Sequence, residues 1–347
     1  MESLRGKIDL TQFSMSLYSL VLGLGLGAAL LTVAGADPVI AYLTIIEGSF
    51  GSLYRIGETL IKITPFMWAG LGVAVGFKSG YWNIGAEGQI IIGALLTVWG
   101  GHFFQLPQPL HIMFCVMLGF IGGGLWSLVA GALKAKLGIN EVLTTLMLNY
   151  VALWLAHYFI HGPWEDPSKV WAQTFSVLDS AKLPKILPGT RAHLGIILAV
   201  ATAVILHQLL SKSVLGYRLR AVGENPTASK AAGIDTVKIM LLASFLSGAL
   251  AGLAGVSEIL GVHFFLEDGL TEGYGYTSIA VAMLGGLSPM GTLLSASFFG
   301  FLINGSNYMQ RGVNIPTTTV HVFVGLIILS MLMTPLIKKA ITRLGAK

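Results

Sequence analysis

The sequence has few charged residues for its length. Only 11% of its 347 residues are Asp, Glu, Lys or Arg, whereas about 25% is usual in soluble proteins. So few charges cannot cover the surface of a soluble domain of this size, and disordered chains are richer in charge and poorer in apolar residues. Hydrophobic residues make up 54% of the chain. The composition therefore predicts a polytopic membrane protein, in which each helical span takes about 20 apolar residues.

Cysteine and catalytic motifs are also scarce. Cys115 is the only cysteine, so an intrachain disulfide and a multi-cysteine metal site are excluded. The chain has no HExxH, CxxC or GxSxG motif, and residues 72–79 (GVAVGFKS) lack the spacing of a phosphate-binding loop. We therefore expect no ATPase site, catalytic centre, metal site or cofactor in this chain. A net charge of +5 does not predict nucleic-acid binding without a basic patch on a soluble face.

Nine apolar runs are long enough to span or enter a bilayer. They cover residues 14–36, 60–77, 83–101, 110–133, 140–161, 192–211, 237–260, 276–304 and 317–336. The run 276–304 is long enough to be broken in two, so we expect an all-α bundle of nine or ten spans in one transmembrane domain, residues 1–347. The first run has about 20 apolar residues, longer than the 7 to 15 of a typical signal peptide, so we expect it to be retained as a helix.

Lysine and arginine are unevenly distributed between alternate loops. With the N-terminus inside, two-thirds of them fall on the inner side: Arg5, Lys7, Lys78, Lys134, Lys136, Lys212, Arg218, Arg220, Lys230, Lys238, Lys338, Lys339, Arg343 and Lys347. This is the bias of the positive-inside rule. It predicts cytoplasmic N- and C-termini, an external loop at 162–191 and a cytoplasmic loop at 212–236. An even number of crossings is then needed, so we expect the run 276–304 to cross twice.

The inner loop, residues 212–236, contains the clearest local structural signal. Asn225 is a good N-cap, Pro226 suits the first helical position, and Gly233 suits the end of a helix. We therefore predict a short helix over residues 226–232.

Two interpretations of this short helix remain open, because a helix of two turns is marginal alone in water. It rests on the membrane or on its own bundle, or it presents a small face to a groove in a partner protein. That face would consist of Ala228, Ala231 and Ala232.

Residues 76–89 are rich in glycine and precede an apolar run. Asn83 and Glu87 are four residues apart, so on a helix they would share one face. An amide and a carboxylate at membrane depth are costly unless they face an aqueous path or a partner. The glycines favour a broken or re-entrant helix, which is tolerated where it lines a cavity. Close helix packing with Glu87 at an interfacial cap is the alternative.

A second apolar segment interrupted by Gly and Pro covers residues 273–291. Paired interrupted segments in two halves of a chain point to a central substrate path, although these two align poorly. Glu258 lies in the preceding span and either pairs with another group or lines a cavity. Asn149, Asn304 and Asn307 either line a polar path or bond helix to helix.

Four blocks carry a family resemblance: residues 78–94 (KSGYWNIGAEGQIIIGA), 133–150 (LKAKLGINEVLTTLMLNY), 216–235 and 279–291. In these blocks the chain resembles the permease subunits of bacterial ABC importers, in the branched-chain amino acid and simple-sugar permease family and its nucleoside-type branch. The resemblance implies a type II ABC importer-like fold in the bacterial plasma membrane.

The resemblance also implies partners and a mechanism. A permease of this family pairs with a second homologous permease, with two cytoplasmic ATPases that carry ATP and Mg²⁺, and with an external substrate-binding lipoprotein. The short helix would be the coupling helix seated in the ATPase, and the chain itself would hydrolyse nothing. The small-molecule substrate would be a nucleoside, with simple sugars as the alternative. A proton-coupled secondary transporter and an uncoupled channel or scaffold are the competing classes.

Two sets of site residues follow. The expected coupling residues are Gly223, Glu224, Asn225, Pro226, Thr227, Ala228, Ala231, Ala232 and Gly233. The expected residues of the translocation path or its support are Asn83, Glu87, Gln89 and Glu258.

Overall fold

The computed structural model describes residues 10–333, most of which are helical. The helices are α1 (Leu10–Val33), α2 (Pro38–Phe50), α3 (Leu53–Lys78), α4 (Ala86–Phe103), α5 (Gln108–Leu137), α6 (Glu141–Ile160), α7 (Gly195–Lys212), α8 (Val214–Glu224), α9 (Pro226–Ala231), α10 (Thr236–Glu258), α11 (Tyr274–Leu284), α12 (Pro289–Gly312) and α13 (Thr317–Leu332). A π turn at Ile259–His263 continues α10. Within residues 10–333 there is no β-strand, only three isolated bridges. The predicted all-α membrane bundle is confirmed.

Five described helices are long and apolar enough to cross a membrane: α3, α5, α6, α7 and α10 with its π turn. Val21–Val33 and Pro38–Phe50 make a sixth candidate, bent by 116° between its halves. The other apolar runs form shorter or less apolar helices. At 11 residues, α11 is about 16 Å long, half of the ~30 Å hydrocarbon core. The run 276–304 is broken as expected, but α11 alone does not make a full crossing.

Several terminal cations on which the predicted orientation depends lie outside the described residues. They are Arg5, Lys7, Lys338, Lys339, Arg343 and Lys347.

The chain divides into two compact units. One comprises residues 57–300, and the other comprises the described residues before 57 and after 300. In the second unit α1 packs against α13. There α2 begins after Asp37, whose carboxylate accepts a hydrogen bond from the N–H of Val39 at 2.8 Å.

In the larger unit, α4, α5 and α10 pack with their backbones in contact. A Cβ on Gly252 of α10 would lie 2.3 Å from the carbonyl oxygen of Gly119 on α5, and a Cβ on Gly93 of α4 would lie 2.4 Å from that of Gly252. Small residues let membrane helices approach this closely. Helix α3 is also central, because 89% of its apolar window is buried, against 28% for α6 and 33% for α7.

Residues 79–85, between α3 and α4, are not helical. Gly80 has a φ of +78°, which L side chains rarely adopt, so the chain turns here as the glycine-rich sequence predicts. Because α4 begins only at Ala86, Asn83 and Glu87 do not share a helical face, and the helix is broken here as the glycines favour. The Asn83 carboxamide oxygen instead accepts the N–H of Gly85 at 2.9 Å, a local turn that competes with helix.

The loop at 162–191 is held to the α10–α11 connection by backbone hydrogen bonds. The N–H of Thr174 donates to the carbonyl of Leu266 at 2.9 Å, and the N–H of Val177 donates to that of Phe264 at 2.8 Å. At its tip, Trp171 is 82% exposed. The loop is therefore ordered at its base and open at its tip.

Candidate functional site

Helix α9 forms where the sequence predicts it, and its caps are those expected. The Asn225 carboxamide oxygen accepts the N–H of Ala228 at 2.9 Å, and Pro226 occupies the first position. Gly233 has a φ of +81°, and the N–H of Ile234 closes the end by donating to the carbonyl of Ser229 at 3.0 Å. The predicted short helix is confirmed.

Helix α9 turns its small residues away from the rest of the larger unit. Ala228, Ala231 and Ala232 are exposed, whereas Ser229 is buried. A stripe of methyl groups is thus open to a partner surface, while the opposite side of the helix rests on its own bundle.

Helix α8 precedes α9, and the short-helix prediction did not include it. It begins after Ser213, whose hydroxyl accepts the N–H of Gly216 at 3.0 Å, so the N-cap residue was the available signal. After α9, Asp235 caps α10 in the same way, with the N–H of Lys238 3.1 Å from its carboxylate. This hydrogen bond holds the pKa of Asp235 below its ordinary value.

The C-terminal end of α8 lies directly on the break between α3 and α4. A Cβ on Gly223 would lie 2.2 Å from the carbonyl oxygen of Lys78, and one on Gly80 would lie 3.2 Å from the Cα of Gly223. The backbones of α8 and of the turn that leads to Asn83 are therefore in direct contact.

Asn83 and Gln89 form a reciprocal pair of amides. The Asn83 amide nitrogen donates to the Gln89 carbonyl oxygen at 2.8 Å, and the Gln89 amide nitrogen donates back at 2.9 Å. Asn83 also donates to the Ser247 hydroxyl of α10 at 2.8 Å, and Ser247 donates to the carbonyl of Gly72 in α3 at 2.7 Å. Asn83 is fully buried, and its polar atoms all have protein partners.

The Glu87 carboxylate holds the N-terminal end of α11. One oxygen accepts the Thr271 hydroxyl at 2.5 Å and the other accepts the N–H of Gly275 at 2.7 Å. A carboxylate at a helix N-terminus is favoured by the helix dipole. Glycine is required at 275, because a Cβ there would lie 2.2 Å from the backbone nitrogen of Glu87.

Helix α6 supplies polar partners to the same region. The Asn149 carboxamide oxygen accepts the N–H of Gly88 at 2.8 Å, and its amide nitrogen donates to the carbonyl of Ile84 at 3.1 Å. The Thr145 hydroxyl accepts the N–H of Ile84 at 3.2 Å. These contacts support the interpretation that Asn149 joins helices by hydrogen bonds.

Glu258 lies apart from this hydrogen-bond network. It is 1% exposed, and one of its oxygens is 3.5 Å from the Nε2 atom of His263. The other oxygen has no hydrogen-bond partner among the described residues. Glu258 and Glu87 both lie within electrostatic reach of Tyr274.

The buried polar cluster therefore consists of Asn83, Glu87, Gln89, Asn149, Ser247, Thr271 and the N–H of Gly275. Sequence reasoning did not single out Ser247 or Thr271, and no local signal marks them. The cluster fixes how α3, α4, α6, α10 and α11 meet. A role of Asn83, Glu87 or Gln89 in a substrate path stays a prediction.

An apolar crevice of about 250 Å³ lies elsewhere in the larger unit. Its lining includes Trp68, Val116, Leu198, Leu253 and Ser257. None of the predicted path residues lines it.

The larger unit is thus a bundle of apolar helices with a glycine turn between α3 and α4, the end of α8 packed against that turn, and the exposed capped helix α9. Residues 55–332 match the branched-chain amino acid transport system / permease component family. The chain belongs to this family. No solved structure matches the chain at a significant level.

Three related proteins show which permeases of the family this chain is similar to. The guanosine ABC transporter permease protein NupP of Bacillus subtilis is 37% identical over 92% of this chain and 93% of its own length. The glucose ABC transporter permease protein TsgB13 of Haloferax volcanii is 30% identical over 91% of this chain and 86% of its own length. The nucleoside ABC transporter permease protein NupB of Lactococcus lactis is 33% identical over 90% of this chain and 88% of its own length.

Proposed function

We propose that this chain is the transmembrane permease subunit of an ATP-driven importer and that its substrates are nucleosides. Two of the three relatives above have a nucleoside in their names, and NupP has the highest identity of the three. The chain would supply the translocation path, while two separate ABC ATPase subunits bind ATP and Mg²⁺ and carry out the hydrolysis.

The observation that carries the coupling role is the exposed, capped helix α9. A six-residue helix is too short to be stable alone, and here its caps and a buried Ser229 hold it with its alanine face outward. Such a knob of small side chains suits insertion into a groove of an ATPase subunit. The coupling segment would run from Gly223 to Gly233.

The contact between Gly223 and the 78–80 turn supports a route for coupling. Movement of α9 with the ATPase would push the end of α8 against this turn. The turn leads into Asn83, which bonds α4 to α10. Rearrangement of these helices would open the path alternately to the two sides of the membrane.

The proposed orientation follows the charge distribution. Both termini and residues 212–236 would lie in the cytoplasm of a bacterial cell, and residues 162–191 would lie outside. The exposed tip of the outer loop would meet an external substrate-binding lipoprotein. A second, homologous permease would complete the membrane part of the complex as a heterodimer.

An uptake experiment tests this function. The chain is co-expressed with its neighbouring ATPase, sister permease and binding protein in cells that lack other nucleoside uptake, and entry of labelled guanosine and uridine is measured. Uptake should require the ATPase and should persist when the proton gradient is collapsed while ATP is maintained. Loss of uptake with the gradient alone would support the secondary transporter instead.

Sugar transport is the second candidate, because TsgB13 is 30% identical over most of the chain. Excess unlabelled glucose and excess unlabelled inosine are compared as competitors in the same assay. Competition by inosine alone would support nucleosides as the substrates, whereas competition by glucose alone would indicate that the substrates are sugars.

A further inference from the structure

A cluster of two histidines and one aspartate lies outside the polar network described above. His157 and His161 occupy the last turn of α6 and its C-cap, and Asp268 lies in the α10–α11 connection. The three side chains are 40 to 49% exposed. They are therefore open to ions from solvent on the face that carries the 162–191 loop.

The donor atoms converge on one point. The His161 Nε2 atom is 2.6 Å from one oxygen of Asp268, and the His157 Nδ1 atom is 3.3 Å from that same oxygen. The ligand atoms of all three residues lie within 4.8 Å of one another. Ligands of a tetrahedral zinc ion, each about 2.0–2.1 Å from the metal, are separated by about 3.3 Å. The 3.3 Å separation of His157 Nδ1 from the Asp268 oxygen already equals this spacing, whereas the 2.6 Å separation of His161 Nε2 from it would have to widen.

We propose that His157, His161 and Asp268 form a binding site for a divalent transition metal ion, with Zn²⁺ as the best fit. Two neutral imidazoles and one carboxylate are the donors that zinc takes in three-ligand sites, with the fourth position open to water. Imidazole donors disfavour Mg²⁺ and Ca²⁺, which take oxygen ligands. The sequence analysis expected no metal site in this chain, so this proposal departs from that expectation.

The surrounding structure orients the ligands. The two histidine rings are 4.1 Å apart, and Trp154 packs edge-on against His157 at 5.4 Å. Gly269, with a φ of +81°, turns the chain next to Asp268. The site also lies at the C-terminal end of α6, where the helix dipole favours a cation.

An ion at this site would tie the α10–α11 connection to α6. Three residues beyond Asp268, Thr271 donates to Glu87 in α4. Zn²⁺ would therefore restrict the same connection that holds the buried end of α11. The hydrogen bonds of His157 and His161 with Asp268 already link this connection to α6, and a bound ion would restrict it further.

The experiment uses the full-length protein, purified in detergent, with any affinity tag removed and with metal stripped by a chelator. Binding of Zn²⁺ is measured by equilibrium dialysis, and Co²⁺ serves as a spectroscopic probe because its visible absorption reports tetrahedral nitrogen and oxygen ligands. We expect one ion per chain, Co²⁺ bands that Zn²⁺ abolishes, and slower hydrogen exchange in residues 266–272 when Zn²⁺ is present.

Two variants and one control separate a metal site from hydrogen bonding alone. His157→Gln leaves the 2.6 Å contact between His161 and Asp268 in place, so it removes a ligand at the least cost to folding. It should weaken Zn²⁺ binding at least tenfold, and Asp268→Asn should abolish stoichiometric binding. His102→Gln, on a histidine outside the cluster that contacts the carbonyl of Ser176, should bind as the unmodified protein does. Equal affinity in all three variants, or no stoichiometric binding by the unmodified protein, would overturn the proposal.

Discussion

Helix α9 and the first turn of α4 are both short segments, one after the end of α8 and the other after a glycine turn, yet their surroundings are opposite. At α9 the Asn225 cap is local, and three alanines face solvent. At α4 the side chains of Glu87 and Gln89 are buried, and Glu87 bonds to groups more than 180 residues away in the chain. The larger unit thus has a buried polar cluster in its interior and a small apolar face on α9 at its surface.

The difference has a physical basis. In a bilayer, polar groups need partners inside the protein, so the buried cluster uses its hydrogen-bonding capacity to join helices. The alanine face of α9 is apolar, so its exposure to water is unfavourable and its burial by a partner protein stabilises the complex. Substitutions in the cluster should therefore lower the stability of the isolated chain, and substitutions on α9 should weaken its assembly.

Glu87→Ala should have the largest effect on stability. It leaves the Thr271 hydroxyl and the N–H of Gly275 without their acceptor in a buried site, at a cost of about 4 kcal/mol for two such donors. Thermal unfolding in detergent should show a midpoint many degrees lower, and Glu87→Gln should retain part of the stability because one acceptor remains. The matched control is Glu224→Ala, an exposed acid whose loss should change stability by less than about 0.5 kcal/mol. Equal midpoints for Glu87→Ala and Glu224→Ala would contradict the distinction between the two regions.

His193 is a buried histidine whose protonation should make the stability of the chain depend on pH. It is 2% exposed, its Nδ1 atom accepts the N–H of Gly195 at 3.1 Å, and burial lowers its pKa from 6.5 to about 4. Below pH 6.5 the unfolded chain binds a proton that the folded chain does not, so stability falls as the pH is lowered from about 6.5 to 4. The full loss is about 3 kcal/mol.

His193→Asn keeps an acceptor for the N–H of Gly195 but cannot titrate, so its unfolding midpoint should vary less over this pH range. His102→Asn, at a partly exposed histidine, serves as the control and should keep the acid dependence of the unmodified protein. An unchanged acid dependence in His193→Asn would show that other groups cause it.

Local signals made α9 predictable. Asn225, Pro226 and Gly233 lie within nine residues of one another, and each acts on the backbone next to it. The partners of Glu87 were not predictable in this way, because Thr271 and Gly275 lie more than 180 residues away. Only the packing of α4 against α11 brings them together.

Hydropathy alone could not predict how much of the membrane each helix crosses. It located the break within the run 276–304, but it did not distinguish a full crossing from the 11-residue α11. A half-length helix is tolerated at membrane depth when the protein satisfies its ends, and at α11 the carboxylate of Glu87 does so. The missing information was again a long-range contact.

Ala231→Glu should affect assembly and spare folding. Ala231 is exposed on α9, so a charge there is solvated in the free chain but would be desolvated in an apolar groove. We expect at least tenfold weaker co-purification with the ATPase subunits and an unchanged unfolding midpoint of the isolated chain. Val170→Glu, at a residue that is 94% exposed in the 162–191 loop, is the matched control and should co-purify with the ATPase subunits as the unmodified chain does. Normal assembly of Ala231→Glu would argue against the docking role.

Asn225→Ala should have the smallest effect and the most local one. It removes the acceptor for the N–H of Ala228, and loss of an N-cap costs about 1 kcal/mol. In a six-residue helix this is enough to shift the equilibrium toward the frayed form, because so short a helix has little stability of its own. Amide exchange in residues 226–232 should become about fivefold faster, while the global unfolding midpoint stays unchanged. Asn225→Asp, which keeps the capping oxygen, should restore slow exchange. If Asn225→Ala lowers the global midpoint instead, α9 stabilises the whole unit. The stability of α9 and that of the buried cluster would then not be independent of each other.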